Sequence, residues 1–217
     1  MDGKKQKYFY IGLYMATYIS FSFGMMQFIP FLSKIGYNSM ERGILLSSFA
    51  VMTIILQMVF GFLSDKFRTV KKFMILALLI YGAVTYMFYT RQSQLFPYHL
   101  VAIALSGGLI NTSCGLSDTW ILSSNEYLRK RLSFIKTFGS IGWALGSVIL
   151  PTVLFKFGYN GVGKSILLLS VFSLIFMYFI KDVDKNPKNK LGKIGMHDII
   201  ELLLNKKYTL LVVILFF

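Results

Sequence analysis

Six apolar stretches, each close to the length that crosses a lipid bilayer, divide this chain of 217 residues. They cover 8–32, 43–63, 73–89, 98–121, 132–155 and 165–180, with polar connections between them. A hydrocarbon core of about 30 Å needs roughly 20 apolar residues in a helix. Inside lipid every backbone N–H and C=O must find its partner within the spanning structure. Only 15% of the residues are charged and 55% are hydrophobic, whereas an average soluble domain is about 25% charged. The spacing predicts an all-α, polytopic membrane protein. The first run is too long for a signal-peptide core and no small-residue cleavage pattern follows it, so it is expected to remain as a span.

Residues 1–181 are read as a six-helix transmembrane bundle and 182–207 as a charged linker. Within the linker, 196–204 has the apolar face of a short interfacial helix. The last ten residues, 208–217, are apolar but too few to cross a bilayer, so the chain is expected to stop inside a seventh helix and to lack a C-terminal half.

The net charge of +14 superficially suggests a nucleic-acid partner. The basic residues, however, lie in short connections between spans, as in the loops that stay on the cytoplasmic side. With the N-terminus placed in the cytoplasm, all 23 lysines and arginines but Lys34, Arg42, Arg91, Lys156 and Lys164 fall inside. That bias predicts a cytoplasmic N-terminus in a cell membrane and excludes a nucleic-acid function. The one cysteine, Cys114, lies within a span and forms no intrachain disulfide.

Chemistry concentrates in 136–147, within the fifth span. At 100° per residue, Lys136, Ser140, Trp143 and Ser147 share one helix face. Gly139, Gly142 and Gly146 line the neighbouring face, where small residues let a second helix approach closely. A cation and an indole on one face of a membrane helix suit a transport pathway, because intramembrane ionisable groups are expensive to keep. Asp118 and Lys136 lie at equal sequence distance from residue 127, in the connection between the fourth and fifth spans. Antiparallel helices joined there place the two charges at one depth, where they are expected to pair. Within the second span Thr53 and Gln57 are the polar positions.

Two further patterns carry less. Gly158 to Ser165 satisfies G-x-x-x-x-G-K-[ST], but that phosphate loop needs a strand before it, and here a membrane helix precedes it. It is read instead as a glycine-rich turn leading into the sixth span. A serine protease built on Ser106 and Gly107 has poor bases: His99 lies on the same helix and His197 in the linker.

At the junction of the second and third spans stands Gly61-Phe-Leu-Ser-Asp65-Lys66-Phe-Arg68-Thr-Val-Lys71-Lys72. It resembles the G-x-x-x-D-[RK]-x-G-x-[RK] signature of the major facilitator superfamily, with Arg68 where the signature has glycine. Phe138-Gly139-Ser140-Ile141-Gly142-Trp143-Ala144-Leu145 is similar to the F-G-C-V-G-W-A-L of the oligosaccharide:proton symporter, or lactose permease-like, family. Asp118, Lys136 and Trp143 have the spacing of that family's Glu, Arg and Trp.

The resemblance covers essentially the whole chain as an N-terminal half. It implies two inverted three-helix repeats, with spans 1, 2, 4 and 5 facing a central cavity and spans 3 and 6 more peripheral. Carried over residue by residue, Trp143 is a stacking platform for a sugar ring, Asp118 an acceptor and Lys136 a donor, with Ser140 and Cys114 lining the same cavity. Gly61, Asp65, Lys66 and Arg68 belong to a turn whose contacts break and re-form as two bundles rock. The implied function is proton-coupled uptake of a sugar or related small polar solute, with the proton as coupling ion and no cofactor or metal. The family's coupling residues lie mainly in the C-terminal half. Because both charged positions are altered, and Lys is a point charge where Arg is a planar fork, a nucleoside is the alternative substrate. A stand-alone half-bundle serving as an assembly or regulatory subunit is the alternative role.

Overall fold

A computed structural model describes residues 3–182; most of the linker, its expected short helix and the last apolar run lie outside the described residues. The elements are α1 (Gly3–Lys34), α2 (Ser39–Lys66), α3 (Lys71–Thr90), α4 (Phe96–Leu122), the single turn α5 (Glu126–Arg129) and α6 (Leu132–Phe179). The described residues contain no strand. At about 1.5 Å per residue, the 48 residues of α6 are too long for one crossing. Gly158, with φ 63° and ψ −168°, breaks it into two membrane-length arms, 132–157 and 159–179. The fold is therefore an all-α bundle of six spans.

Local chemistry sets the ends. Asn38 and Glu41 form a capping box at the start of α2, each side chain accepting from the other's backbone N–H at 2.9 Å. This satisfies donors that a helix N-terminus otherwise leaves open, and it starts α2 earlier than the apolar run at 43 suggests. Pro97 sits in the first turn of α4, where a missing N–H costs nothing. α1 contains Pro30 and runs on to Lys34. The expected turn at 158–163 shrinks to Gly158 alone, and the helix resumes at Tyr159 rather than Ser165. Gly158 combines a positive φ with an extended ψ, a region open essentially to glycine alone, whereas Gly163 is helical and a Cβ there would meet the backbone of Tyr86 at 3.3 Å.

Packing follows the small residues. α1 lies between the two arms of α6: a Cβ on Gly142 would meet the Met15 carbonyl oxygen at 2.6 Å, and Ser20 donates to the carbonyl of Ile166 in the second arm. α4 lies between α2 and α3 in the same manner. A Cβ on Gly108 would meet the backbone of Met52 at 3.2 Å, and Thr85 donates to Ser106 at 3.0 Å. Exchanging the first three spans for the last three maps one set of contacts onto the other, as two inverted repeats require. Span 3 and span 6 meet where Gly82 faces Ser170.

At one end lie Lys4, Lys66, Arg68, Lys72, Arg129, Lys130 and Arg131, all exposed; it is called the basic end below. There Asp182 accepts from the backbone N–H groups of Val70 and Lys71 and from the Thr69 hydroxyl, capping α3. Lys71 Nζ in turn donates to the carbonyl of Ile180 at 2.8 Å, beyond the last residue of α6. The opposite end holds rings: Phe28, Phe31, Phe88, Tyr89, His99 and Tyr159 pack together.

Candidate functional site

Three helices contribute one polar group each to a cluster near the basic end. Lys136 Nζ, on the first arm of α6, lies 2.7 Å from Asp118 Oδ2 on α4. Tyr14, on α1, donates its hydroxyl to the other carboxylate oxygen, Asp118 Oδ1, also at 2.7 Å. The carboxylate is held from both sides, so its two oxygens face a cation and a neutral donor. Charge-assisted bonds of this kind are short and strong. The Asp118 side chain keeps 28% of its surface accessible and that of Lys136 45%, so the pair is open to one face of the bundle rather than sealed inside it.

The expected depth match is what the helices provide. Asp118 precedes the end of α4 by four residues and Lys136 follows the start of α6 by four, about 6 Å along each axis. Axial rotation is fixed by the glycine stripe. Gly139 lies 3.3 Å, measured from an added Cβ, from the rings of Tyr14 and Tyr18; Gly142 and Gly146 meet the backbone of Met15 and Ile19. The same close approach that packs α1 on α6 thus brings the Tyr14 hydroxyl to the ion pair.

The remaining expected residues fall on the same open face. Ser140 is exposed, and Trp143 is half-buried two turns beyond Lys136. Ser147 donates to the Trp143 carbonyl at 2.9 Å and contacts Met26 of α1. Cys114 is half-buried, one turn from Asp118, and lies against Tyr18. Tyr14 and Tyr18 stack on each other with centroids 5.7 Å apart. Neither was expected at the site. Their signal was present as Tyr10, Tyr14 and Tyr18, a stripe of hydroxyl-bearing rings at four-residue spacing, the spacing of one helix face.

The turn at Gly61, Asp65, Lys66 and Arg68 belongs to a separate region at the basic end. Thr69 N–H donates to the Ser64 carbonyl at 3.2 Å and Arg68 N–H to the Asp65 carbonyl at 3.3 Å. Arg68 takes φ 54°, so it adopts the left-handed conformation that glycine would supply there. Gly61 has open space at its Cβ position. The other patterns dissolve in the fold. Gly158 to Ser165 has no strand before it and continues as helix. Ser106 is buried against Thr85, while His99 is held by Tyr37 at 2.9 Å and by the Arg91 carbonyl at 3.2 Å, so these two form no nucleophile–base pair; His197 lies outside the described residues. Among the described residues no group of His, Cys, Asp and Glu is arranged to hold a metal ion.

No curated protein and no solved structure matches the chain. The sequence profile of the Major Facilitator Superfamily matches residues 10–217.

Proposed function

The chain belongs to the major facilitator superfamily, and on that footing we propose that it takes part in proton-coupled uptake of a sugar or a similar small polar solute by alternating access. Members of the superfamily are membrane transporters, and this bundle has the spans and inverted repeats of one half of such a machine. The observation that carries the substrate reading is the Tyr14–Asp118–Lys136 cluster with Trp143 two turns along the same face. The apolar C–H face of a pyranose stacks on an indole, and its hydroxyls donate to Asp118 and accept from Lys136 in charge-assisted bonds. A solute hydroxyl that takes the place of the Tyr14 hydroxyl on Asp118 Oδ1 links binding to the contact between α1 and α4.

In this reading the basic end faces the cytoplasm of a cell membrane, following the positive-inside bias. A second six-helix half supplies the opposite wall of the cavity, and the α2–α3 turn changes partners as the halves rock. Uptake of radiolabelled mono- and disaccharides by cells expressing this half together with the second six-helix half, with and without a protonophore, tests it. Saturable, protonophore-sensitive accumulation of at least one sugar is expected. Asp118→Ala should abolish uptake and lower membrane abundance, since it leaves Lys136 without its carboxylate. Asp118→Ala with Lys136→Ala should restore abundance but not uptake. Absence of accumulation for every sugar sinks the reading. The short acid and point-charge cation at 118 and 136 favour a nucleoside as second reading, which labelled uridine and adenosine in the same assay distinguish.

A further inference from the structure

The face of α4 that carries Asp118 carries a second polar group nearer mid-membrane. At 100° per residue, Asn111, Cys114 and Asp118 lie in one line, and all three are half-buried. Asn111 lies eleven residues before the end of α4 and Trp143 eleven after the start of α6, about 16 Å from the basic end in each case. Gln57, exposed on α2, lies nine residues before that helix ends, about 14 Å from the same end. The indole and both carboxamides thus share one level near the middle of a core about 30 Å thick.

Hydrogen bonding dictates how the carboxamides are turned. The Thr53 hydroxyl donates to the Phe49 carbonyl at 2.9 Å, so its oxygen is left to accept. It accepts from Asn111 Nδ2 at 3.2 Å. Gln57 Nε2 donates to the Asn111 backbone carbonyl at 3.5 Å, and a carbonyl can only accept. Both amide nitrogens are therefore turned into the α2–α4 contact. The oxygens, Asn111 Oδ1 and Gln57 Oε1, take no bond from any described residue. Two acceptors are presented at the level of an indole, beside a charge pair that is already balanced.

We propose that Gln57 and Asn111 form a further subsite, held in place by Thr53, that accepts hydrogen bonds from adjacent hydroxyls of a neutral polyhydroxylated solute. The subsite rests on the transport reading above and sharpens it. Two outward acceptors call for a ligand rich in donors, and the pairing of Asp118 with Lys136 leaves no net charge there to recruit a cation. Trp143 provides the face, the carboxamides read the hydroxyl edge, and the charge pair engages the solute's inner end.

The test uses Cys114, one turn from both Asn111 and Asp118, as a native reporter. Membranes holding the protein are alkylated with N-ethylmaleimide in the presence of p-nitrophenyl glycosides of galactose, glucose and mannose. At least one glycoside should protect Cys114 in the wild type. Its half-protecting concentration should rise ~10-fold, roughly what one lost good hydrogen bond to a ligand costs, in Gln57→Met and again in Asn111→Leu. Gln57→Glu, which keeps an acceptor oxygen, should stay within a few-fold of wild type. Gln57→Met alters an exposed side chain, so it carries the test should Asn111→Leu fail to fold. Wild-type protection in Gln57→Met while Trp143→Phe weakens it would overturn the subsite and leave the sugar reading standing. Equal loss in Gln57→Met and Gln57→Glu would overturn the acceptor role. Failure of every glycoside to protect the wild type would overturn both readings.

Discussion

Arg68 holds a conformation that its own backbone disfavours. A side chain in the left-handed region costs about 1–2 kcal/mol, and Arg68 takes φ 54° because the chain must reverse between Lys66 and Lys71 in a few residues. Glycine removes that cost but gives up roughly 0.5–1 kcal/mol of conformational entropy. Arg68→Gly is expected to raise stability by a net of about 0.5 kcal/mol, and Arg68→Val to lower it, since β-branched residues fit positive φ worst. Thermal melting of the detergent-solubilised protein, followed by fluorescence-detected size exclusion, gives the order. A melting temperature lower for Arg68→Gly than for wild type would mean that the guanidinium makes a contact outweighing the strain.

Glycines do different work in different elements. Gly142 is a packing glycine: its added Cβ would lie 2.6 Å from the Met15 carbonyl oxygen and 3.0 Å from the Met15 Cα, and backbone cannot turn aside as a side chain can. Gly142→Ala must push α1 away from α6 and should cost about 1–3 kcal/mol, the usual price of overpacking. Gly158 is a conformational glycine with open space around it, so Gly158→Ala should cost about 1–3 kcal/mol through its backbone conformation alone. Gly61 is helical with nothing near its Cβ position, so Gly61→Ala should gain roughly 0.5 kcal/mol. The same melting assay compares the three, with Gly61→Ala highest. Because Gly142 also sets how α1 meets α6, that variant should loosen the Tyr14–Asp118 contact as well, which faster alkylation of Cys114 would report.

At the scale of the molecule the bundle is two interleaved repeats with charge collected at one end. Span 1 packs between spans 5 and 6 as span 4 packs between spans 2 and 3, and the exposed cations gather where α1 begins and α2 ends. A basic end facing the cytoplasm predicts the labelling pattern of single cysteines in a Cys114→Ser background. Asn160→Cys, beside the break in α6, should react with an impermeant maleimide in intact cells. Lys4→Cys and Lys188→Cys should react only after permeabilisation. Labelling of position 188 but not of position 160 in intact cells would invert the orientation.

Hydropathy and helical period were enough, from residues alone, to determine the all-α class, the six spans, the gathering of cations in alternate connections and the glycine stripe at 139, 142 and 146. These are local or one-dimensional quantities: a span is a count of apolar residues, and a face is a multiple of 100°. The equal depth of Asp118 and Lys136 was readable for the same reason, since a hairpin of antiparallel helices turns sequence distance into depth. Helix ends were less legible. The Asn38–Glu41 box extends α2 outward, and one residue with positive φ, Gly158, replaces a turn that a run of glycines suggested. Tertiary structure alone decided that Tyr14 completes the charge pair, that Thr53 turns Asn111, and that Asp182, just beyond the end of α6, caps α3. Each joins residues more than 50 positions apart. Such contacts depend on the rotation and axial offset of whole helices, which are set only when glycine meets backbone across the helix interfaces.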